Sequence, residues 1–326
     1  MIRIALLILL VVFFAMNMGA SGVAPSFAAA YGGKLIRRKS IFLLFGIFVV
    51  IGALALGRNV SLTLGKNLLP KEFLNFDTAL VIILAASLSL FLANLLKIPQ
   101  STSQVTVGAI TGAGLYFKHL YWHTLLVKII PLWIILPLAS YLLTFFLYRI
   151  IYPPKHNNLH IYERLFLHEK RVKITAIVVS CYVAFAIGSN NVANAVGPLF
   201  GAGIIGIIPG LLAVSPLFGL GALALGKGPM DTAGKEIVPL GVFSSTLVSF
   251  VTASLLLVAS TMGIPQSLVQ LNICSIFAVS SLKNGHRSTL DHHMTRKTFF
   301  IWAITPLIAV FISYFSLVLF LGKVLR

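Results

Sequence analysis

Residues 186–198 read AIGSNNVANAVGP, which sets Asn190, Asn191 and Asn194 among small residues inside a long apolar span. The core of a bilayer offers no water to amide groups, so these side chains must bond to protein groups or line a polar cavity. Amides and glycines in the middle of a membrane segment are typical of an interrupted helix around a polar solute. The stretch therefore predicts one half of a binding site inside a membrane protein.

A second copy of this pattern lies 169 residues earlier in the chain. Residues 16–24 read MNMGASGVA, and three of the small residues match at that offset. The same offset superimposes residues 52–57 on residues 221–226, both of which read GALALG. With three residues dropped, the sequence IPQS at 98–101 falls on IPQS at 264–267. A register kept over so many small residues indicates an internal duplication.

Composition places the chain in a membrane. Of its 326 residues 58% are hydrophobic and 10% are charged, and several apolar stretches reach the length that spans a bilayer. The 25 Lys and Arg lie almost entirely between these stretches, where they meet membrane lipid headgroups. The net charge of +18 therefore predicts no nucleic-acid partner. Cys181 and Cys274 lack metal-ligand spacing, and neither a metal site nor a cofactor is expected.

The apolar spans predict an all-α polytopic membrane protein with about ten nominal crossings. We expect two inverted-topology repeats with broken helices and re-entrant half-helices, because five crossings per half make the second half enter from the opposite side. The first repeat is predicted at 1–151 and the second at 173–326, joined by a polar linker at 152–172. The expected crossings are 4–33, 40–57, 78–96, 98–117, 124–151, 173–204, 205–226, 239–262, 264–282 and 298–322.

The basic residues orient the chain. If both termini lie outside, seventeen of the 25 Lys and Arg fall in inside loops and the other eight fall outside. The excess of positive charge on the cytoplasmic side therefore predicts outside termini and a cytoplasmic linker.

A second polar motif occurs once in each half. Residues 98–104 read IPQSTSQ, and residues 264–270 read IPQSLVQ. Proline suits the first turn of a helix, where backbone N–H groups are free, and such helix N-termini attract anions. Two inverted repeats can direct two of these N-termini at one point near the midplane. The alternative is that each hydroxyl merely bonds the carbonyl one turn earlier in its own helix.

No carboxylate is expected at membrane depth. A phosphate keeps a proton at neutral pH and needs an acceptor, whereas sulfate is fully deprotonated and needs donors only. A site made of hydroxyls, amides and helix N-termini therefore favours sulfate, although backbone carbonyls could accept a proton from phosphate. The acidic residues, all in or beside loops, are Glu72, Asp77, Glu163, Glu169, Asp231, Glu236 and Asp291.

Over nearly the whole chain the sequence resembles the inorganic phosphate transporter (PiT) family. The duplicated signature of that family reads roughly Gly-Ala-Asn-Asp-Val-Ala-Asn-Ala, with a Pro-x-Ser-Thr-Thr-His motif in each half, and residues 188–198 follow the first pattern closely. Asn191 and Gly22 stand where the family has aspartate, and Gln104 and Gln270 stand where it has histidine. The chain more specifically resembles the sulfate permease branch of the family through GASG at 19–22, PQSTS at 99–103 and NNVANAVGP at 190–198.

The resemblance implies a secondary transporter that imports sulfate across the cytoplasmic (inner) membrane by alternating access, with a coupling cation. Because the family aspartates associated with the cation sites are absent, a proton is favoured over sodium. A phosphate transporter of the same fold and a passive anion channel are the alternatives, and a homodimer is left open. An enzyme is disfavoured because no apolar span sets a nucleophile beside an acid, a histidine or a metal cluster.

The predicted substrate-binding residues are polar groups of the two motifs, and we expect them to converge near the midplane. They are Ser21, Ser101, Thr102, Ser103, Asn190, Asn191, Asn194, Gln266 and Ser267. Of these, Thr102, Ser103, Asn190 and Asn194 are expected to contribute most.

Overall fold

A computed structural model describes residues 1–95, 100–154, 156–160, 163, 167–227, 241–291 and 293–322. All regular secondary structure in these ranges is helical, so the prediction of an all-α polytopic protein is confirmed. Its α-helices are α1 (Ile2–Gly32), α2 (Arg38–Lys66), α3 (Phe76–Leu95), α4 (Thr102–Phe117), α5 (Ile130–Ile151), α6 (Glu169–Asn191), α7 (Ala193–Gly201), α8 (Ile207–Leu225), α9 (Val242–Thr261), α10 (Leu268–Asn284), α11 (His286–Asp291) and α12 (His293–Leu321). A π-helical stretch, Thr124–Ile129, continues into α5.

Eight helical segments within these ranges are long and apolar enough to cross a membrane. The remaining two of the ten expected crossings, 98–117 and 264–282, contain α4 and α10, which have 16 and 17 residues. At 1.5 Å per residue these helices are about 24 to 26 Å long, which is less than the roughly 30 Å of a hydrocarbon core. Of the ten expected crossings, eight thus correspond to helices long enough to span a membrane, and two contain shorter helices. The spans themselves are Ile2–Gly32, Arg38–Lys66, Phe76–Ala93, Thr124–Ile151, Glu169–Gly201, Ile207–Leu225, Val242–Thr261 and Thr298–Leu321.

The largest departures from helical backbone lie outside the asparagine stretch and its copy. The interruption expected at Gly19 is absent, because α1 continues through that residue to Gly32. In the second half the irregularity is confined to Val192, whose φ of −61° and ψ of −33° remain helical. Extended backbone precedes α4 and α10 instead, at Ser101 (φ −86°, ψ 113°) and Ser267 (φ −88°, ψ 106°).

The small residues serve helix crossings rather than a break. α1 packs against α8, and α2 packs against α6. At each crossing a glycine faces backbone so closely that a methyl group would overlap it; the four approaches are Gly19 on Phe218, Gly221 on Met16, Gly188 on Val49 and Gly52 on Phe185. Adding 169 to the α1 residues and subtracting 169 from the α8 residues converts the first two approaches into the last two. The contacts thus follow the offset seen in the sequence.

The two halves interlock instead of forming separate units. The last long helix of each half packs on the other half, with α5 against α10 and α12 against α4. Within each half, α3 packs against α4 and α9 against α10. The inverted direction of the second half and the boundaries at 1–151, 152–172 and 173–326 stay predictions. Ile98, Pro99 and parts of the linker lie outside the described residues.

A belt of exposed apolar side chains surrounds the helices. Ile8, Ile134 and Phe311 are 59%, 67% and 59% exposed, and many other large apolar residues resemble them. Monomeric soluble proteins rarely expose apolar patches of this extent. The belt is therefore the surface that contacts lipid, while the polar residues of the two motifs are buried between the helices.

Candidate functional site

Asn190 fixes the segment that precedes α10. Its side-chain Nδ2 donates to the Ser260 hydroxyl and to the Ile264 carbonyl, each at 3.0 Å, and its Oδ1 accepts from the Gln266 backbone N–H at 3.0 Å. The indole N–H of Trp133 donates to the Pro265 carbonyl at 2.8 Å and holds the same segment from α5. Asn190 is fully buried, and these contacts use both ends of its amide. Its role in this geometry is to position the start of α10.

Asn194 makes the corresponding link to α4. Its Nδ2 lies 3.3 Å from the Thr102 hydroxyl and 3.2 Å from the Ser103 hydroxyl, and donates to both. Its Oδ1 is buried and has no hydrogen-bond partner among the described residues. Asn194 is four residues after Asn190, a rise of about 6 Å along a helix. One turn of α6–α7 therefore touches the N-terminal regions of both α4 and α10.

Serine residues cap the two short helices in the same way. The Ser101 hydroxyl accepts from the Gln104 backbone N–H at 3.2 Å, and the Ser267 hydroxyl accepts from the Gln270 N–H at 3.1 Å. Each cap satisfies one of the four N–H groups that a helix N-terminus leaves free. The hydroxyls of both motifs thus do not merely bond the preceding turn of their own helix. Both helix starts keep further backbone donors and the partial positive charge of the N-terminus.

Side-chain amides with unpartnered atoms collect around these two helix starts. Each has a buried oxygen without a hydrogen-bond partner in the described part of the chain, and in Gln266 the nitrogen lacks one as well; they are Gln100, Gln104, Asn191, Asn194, Gln266 and Gln270. Leaving such a group unpaired costs about 1 to 3 kcal/mol. An amide that turns by 180° presents its NH₂ group where its carbonyl was, so this cluster can supply donors to an oxyanion or acceptors to a proton.

Comparison with known proteins identifies the family. Residues 18–313 match the model of the phosphate transporter family, which is most of the chain. The chain belongs to the phosphate transporter family. It is 36% identical to the sulfate permease CysP of Bacillus subtilis, over 96% of this chain and 87% of that protein. It is 25% identical to a putative phosphate permease of Thermococcus kodakarensis, over 95% of this chain and 96% of that protein.

The fold is that of the phosphate transporter family too. A solved sodium-dependent phosphate transporter superimposes with a TM-score of 0.82, over 98% of this chain and all of that chain, at 22% sequence identity. The prediction of a multi-pass membrane transporter rather than an enzyme is confirmed by these relatives and by the shared fold.

The two positions where this chain departs from the aspartates of the phosphate transporter family lie in different surroundings. Asn191 is buried at the end of α6, and its Oδ1 has no hydrogen-bond partner in the described ranges. At Gly22 a Cβ atom would lie 3.3 Å from the Ile187 side chain and 3.4 Å from the Phe45 ring. The first position keeps a buried polar group, whereas the second is part of the apolar contact between α1, α2 and α6.

The structure links some of the predicted site residues more closely than others. Thr102 and Ser103 meet Asn194, and Gln266 meets Asn190. The hydroxyl of Ser21 donates instead to the Met18 carbonyl in its own helix, at 3.1 Å. Convergence of the full set, with Ser101, Asn191 and Ser267, stays a prediction.

Sequence reasoning did not select several polar groups that the structure places here. Gln100, Gln104 and Gln270 stand in the two motifs, and their repetition was the signal that could have identified them. Ser260 lies in the apolar helix α9 and bonds to Ser189 at 2.9 Å as well as to Asn190. Nothing in its local sequence indicates that contact.

Proposed function

We propose that this transporter imports sulfate, which it binds between the N-termini of α4 and α10. The observation that supports this most is the link from Asn194 to Thr102 and Ser103, because it sets an amide and two hydroxyls at a helix N-terminus. Donors to a charged acceptor are the strong class of hydrogen bond. A relative that is 36% identical is a sulfate permease, which supports the same substrate.

The absence of acid beside these donors favours sulfate over phosphate. Among the described residues, Asp77, Glu169 and Asp291 each pair with a basic side chain at a partly exposed position. Glu72 and Glu163 are exposed, so no described carboxylate lies among the site amides. A monohydrogen phosphate would have to donate its proton to a neutral oxygen, whereas sulfate has no proton to place.

Phosphate transport is the second candidate function. The matching family is named for phosphate transport, and the Thermococcus kodakarensis relative is named a putative phosphate permease. The unpartnered amide oxygens of Gln104 and Gln270 could accept the phosphate proton. The two candidates thus differ in which end of these amides faces the substrate.

Competition in proteoliposomes tests the choice of substrate. Uptake of labelled sulfate should be inhibited by selenate, molybdate and tungstate, which are tetrahedral dianions without a proton near neutral pH. Phosphate at the same concentration should inhibit weakly, because its proton lacks a carboxylate acceptor. Equal inhibition by phosphate and selenate would favour the phosphate reading, and vesicles without protein measure the leak.

We propose import by alternating access with a proton as the coupling cation. Importing a dianion against an inside-negative potential costs about 2.3 kcal/mol per charge per 100 mV, hence roughly 4.6 kcal/mol for sulfate at 100 mV. Two monovalent cations are the least that cancel this charge. Asn191 and Gly22 replace the family aspartates, which removes the strongest sodium ligands.

Imposed gradients test the coupling. A pH gradient, acidic outside, should drive accumulation of sulfate in proteoliposomes, whereas an inward sodium gradient at constant pH should not. Accumulation driven by sodium alone would contradict proton coupling. Equilibration without accumulation under either gradient would favour a passive anion channel.

We further propose that the protein lies in the cytoplasmic membrane with both termini outside. Arg3 and Asp77 form an ion pair at 3.3 Å, so the N-terminus and the start of α3 lie at the same end of the helix bundle. The same end is outside in the orientation that the positive-inside rule favours.

A further inference from the structure

A cavity of about 800 Å³ opens at the end of the bundle where α2 stops and α5 begins. Its wall is formed by the C-terminal turn of α2, the loop that follows α4, the π-helical stretch before α5 and the segment after α9. The loop is fixed by a hydrogen bond of 3.0 Å from the Tyr121 backbone N–H to the Leu68 carbonyl. The cavity is therefore a part of the packed structure rather than a gap beside a free loop.

The charge of this cavity is positive. Lys66, His123 and Lys128 line it together with the polar groups of Thr63 and Asn67, and no Asp or Glu is among the described residues that line it. In the described part of the chain no carboxylate lies within 4.0 Å of either lysine ammonium group. Walls of one sign concentrate ions of the opposite sign in a cleft and accelerate their association.

One residue of the cavity wall also contacts the candidate substrate site. Ile264 forms part of its wall, and the carbonyl of the same residue accepts the Asn190 amide at 3.0 Å. Gln266, whose buried side-chain amide has no hydrogen-bond partner among the residues that the structure describes, follows two residues later. The segment before α10 thus borders the lysine-lined cavity through Ile264 and contacts Asn190 through the carbonyl of the same residue.

We propose that this cavity is an entry vestibule that binds the tetrahedral dianion before it passes to the helix N-termini. The inference rests on the proposed function for its substrate, but it adds a second binding site and assigns it to Lys66 and Lys128. In the predicted orientation the vestibule faces outside. Seventeen of the 25 basic residues lie on the other side of the membrane, so the outer face has few cations and two of them line this cavity. The phosphate headgroup of an anionic lipid shares the chemistry of the ligand, and the experiment below separates the two sources.

Neutralising both lysines tests the vestibule. In vesicles of neutral lipid at low ionic strength, Lys66→Gln with Lys128→Gln should raise the apparent KM for labelled sulfate roughly tenfold, the lower end of electrostatic focusing. The maximal rate should stay within about twofold, because these lysines attract the anion and do not hold it at the helix N-termini. At about 1 M salt, where the Debye length is near 3 Å, the difference in KM should vanish.

Matched variants separate a local effect from a change in net charge. Lys71→Gln with Lys118→Gln removes the same charge from the same end of the bundle without touching the cavity wall, and it should raise KM much less than the cavity variant does. Lys66→Arg with Lys128→Arg keeps the charge and should restore the wild-type KM. An unchanged KM in the cavity variant, or a loss of maximal rate with no change of KM, would overturn the proposal.

Two further arms complete the test. If the KM effect occurs only in vesicles that contain anionic lipid, the lysines bind a headgroup, and the vestibule is wrong. The assay is run with labelled phosphate as well as labelled sulfate. If the wild type carries phosphate alone, the proposed function fails. A tenfold rise of the KM for phosphate in the variant with Lys66→Gln and Lys128→Gln would still support the vestibule. A wild type that carries neither anion overturns both.

Discussion

Replacing Asn194 with alanine is expected to lower sulfate affinity roughly 10- to 150-fold while the protein still folds. The Asn194 amide bridges the Thr102 and Ser103 hydroxyls through contacts of 3.3 and 3.2 Å, which are long for hydrogen bonds, and its Oδ1 has no partner in the described part of the chain. Its loss therefore removes little from the folded protein. A donor to a buried dianion contributes about 1.5 to 3 kcal/mol, and each 1.4 kcal/mol is a factor of ten.

Asn190→Ala is the matched control for this prediction. Asn190 is on the same helix face one turn earlier, but three hydrogen bonds of 3.0 Å tie it to Ser260, Ile264 and Gln266. Its removal leaves buried partners unpaired, so it should lower the melting temperature in detergent far more than Asn194→Ala does.

The readouts are melting temperature with and without sulfate, together with uptake. Asn194→Ala should melt near the wild type and gain less stabilisation from added sulfate, since a ligand stabilises by RT ln(1 + [L]/Kd) and the variant has a larger Kd. Normal uptake by Asn194→Ala would make this amide structural. If Asn190→Ala melts at the wild-type temperature but loses sulfate binding, Asn190 binds the substrate and Asn194 has the structural role.

Replacing Gly188 with alanine should abolish transport by forcing α2 and α6 apart. A methyl group at this position would overlap the Val49 carbonyl, which is backbone and has no rotamer to adopt. Overpacking of a dense interior costs about 1 to 3 kcal/mol and more where backbone must shift. The crossing also carries Asn190 one half-turn later, so its displacement moves the site.

Gly32 and Gly19 provide two comparisons. A Cβ at Gly32, in the last turn of α1, meets nothing within 4 Å, so Gly32→Ala should keep transport and gain up to about 1 kcal/mol of helix propensity. Gly19→Ala should resemble Gly188→Ala, because it overlaps the Phe218 backbone in the contact related by the offset of 169. Thermal melting and uptake of the three variants measure both effects. A Gly188→Ala protein as stable and active as Gly32→Ala would contradict the close crossing.

Much of this fold can be predicted from the sequence because the thickness of the bilayer sets the length of each apolar stretch. Eight of the ten expected spans correspond to helices that can cross a membrane. The paired IPQS motifs predicted two helix starts with proline in the first turn. The helices begin slightly later, at Thr102 and Leu268, behind serine caps at Ser101 and Ser267. Span length and helix capping both depend on residues that are close together in the chain, so the sequence shows them directly.

The remaining features depend on partners that are distant in the chain. Small residues around Gly19 are compatible with a broken helix and with a close crossing, and only the position of Phe218, 199 residues later, decides between them. In the same way the sequence shows an amide at Asn190, but it does not show that this amide donates hydrogen bonds to Ser260 and Ile264. The sequence therefore could not predict these partners of Asn190, and its part in the substrate site stays a prediction.

Counterflow of labelled sulfate tests the central claim most directly. Proteoliposomes loaded with unlabelled sulfate and diluted into a trace of labelled sulfate should accumulate label transiently above equilibrium, because a carrier exchanges one substrate for another through a single alternating site. Loading with phosphate instead should give little or no overshoot. Simple equilibration without an overshoot would contradict a carrier, and an equal overshoot from phosphate-loaded vesicles would contradict the selectivity for sulfate.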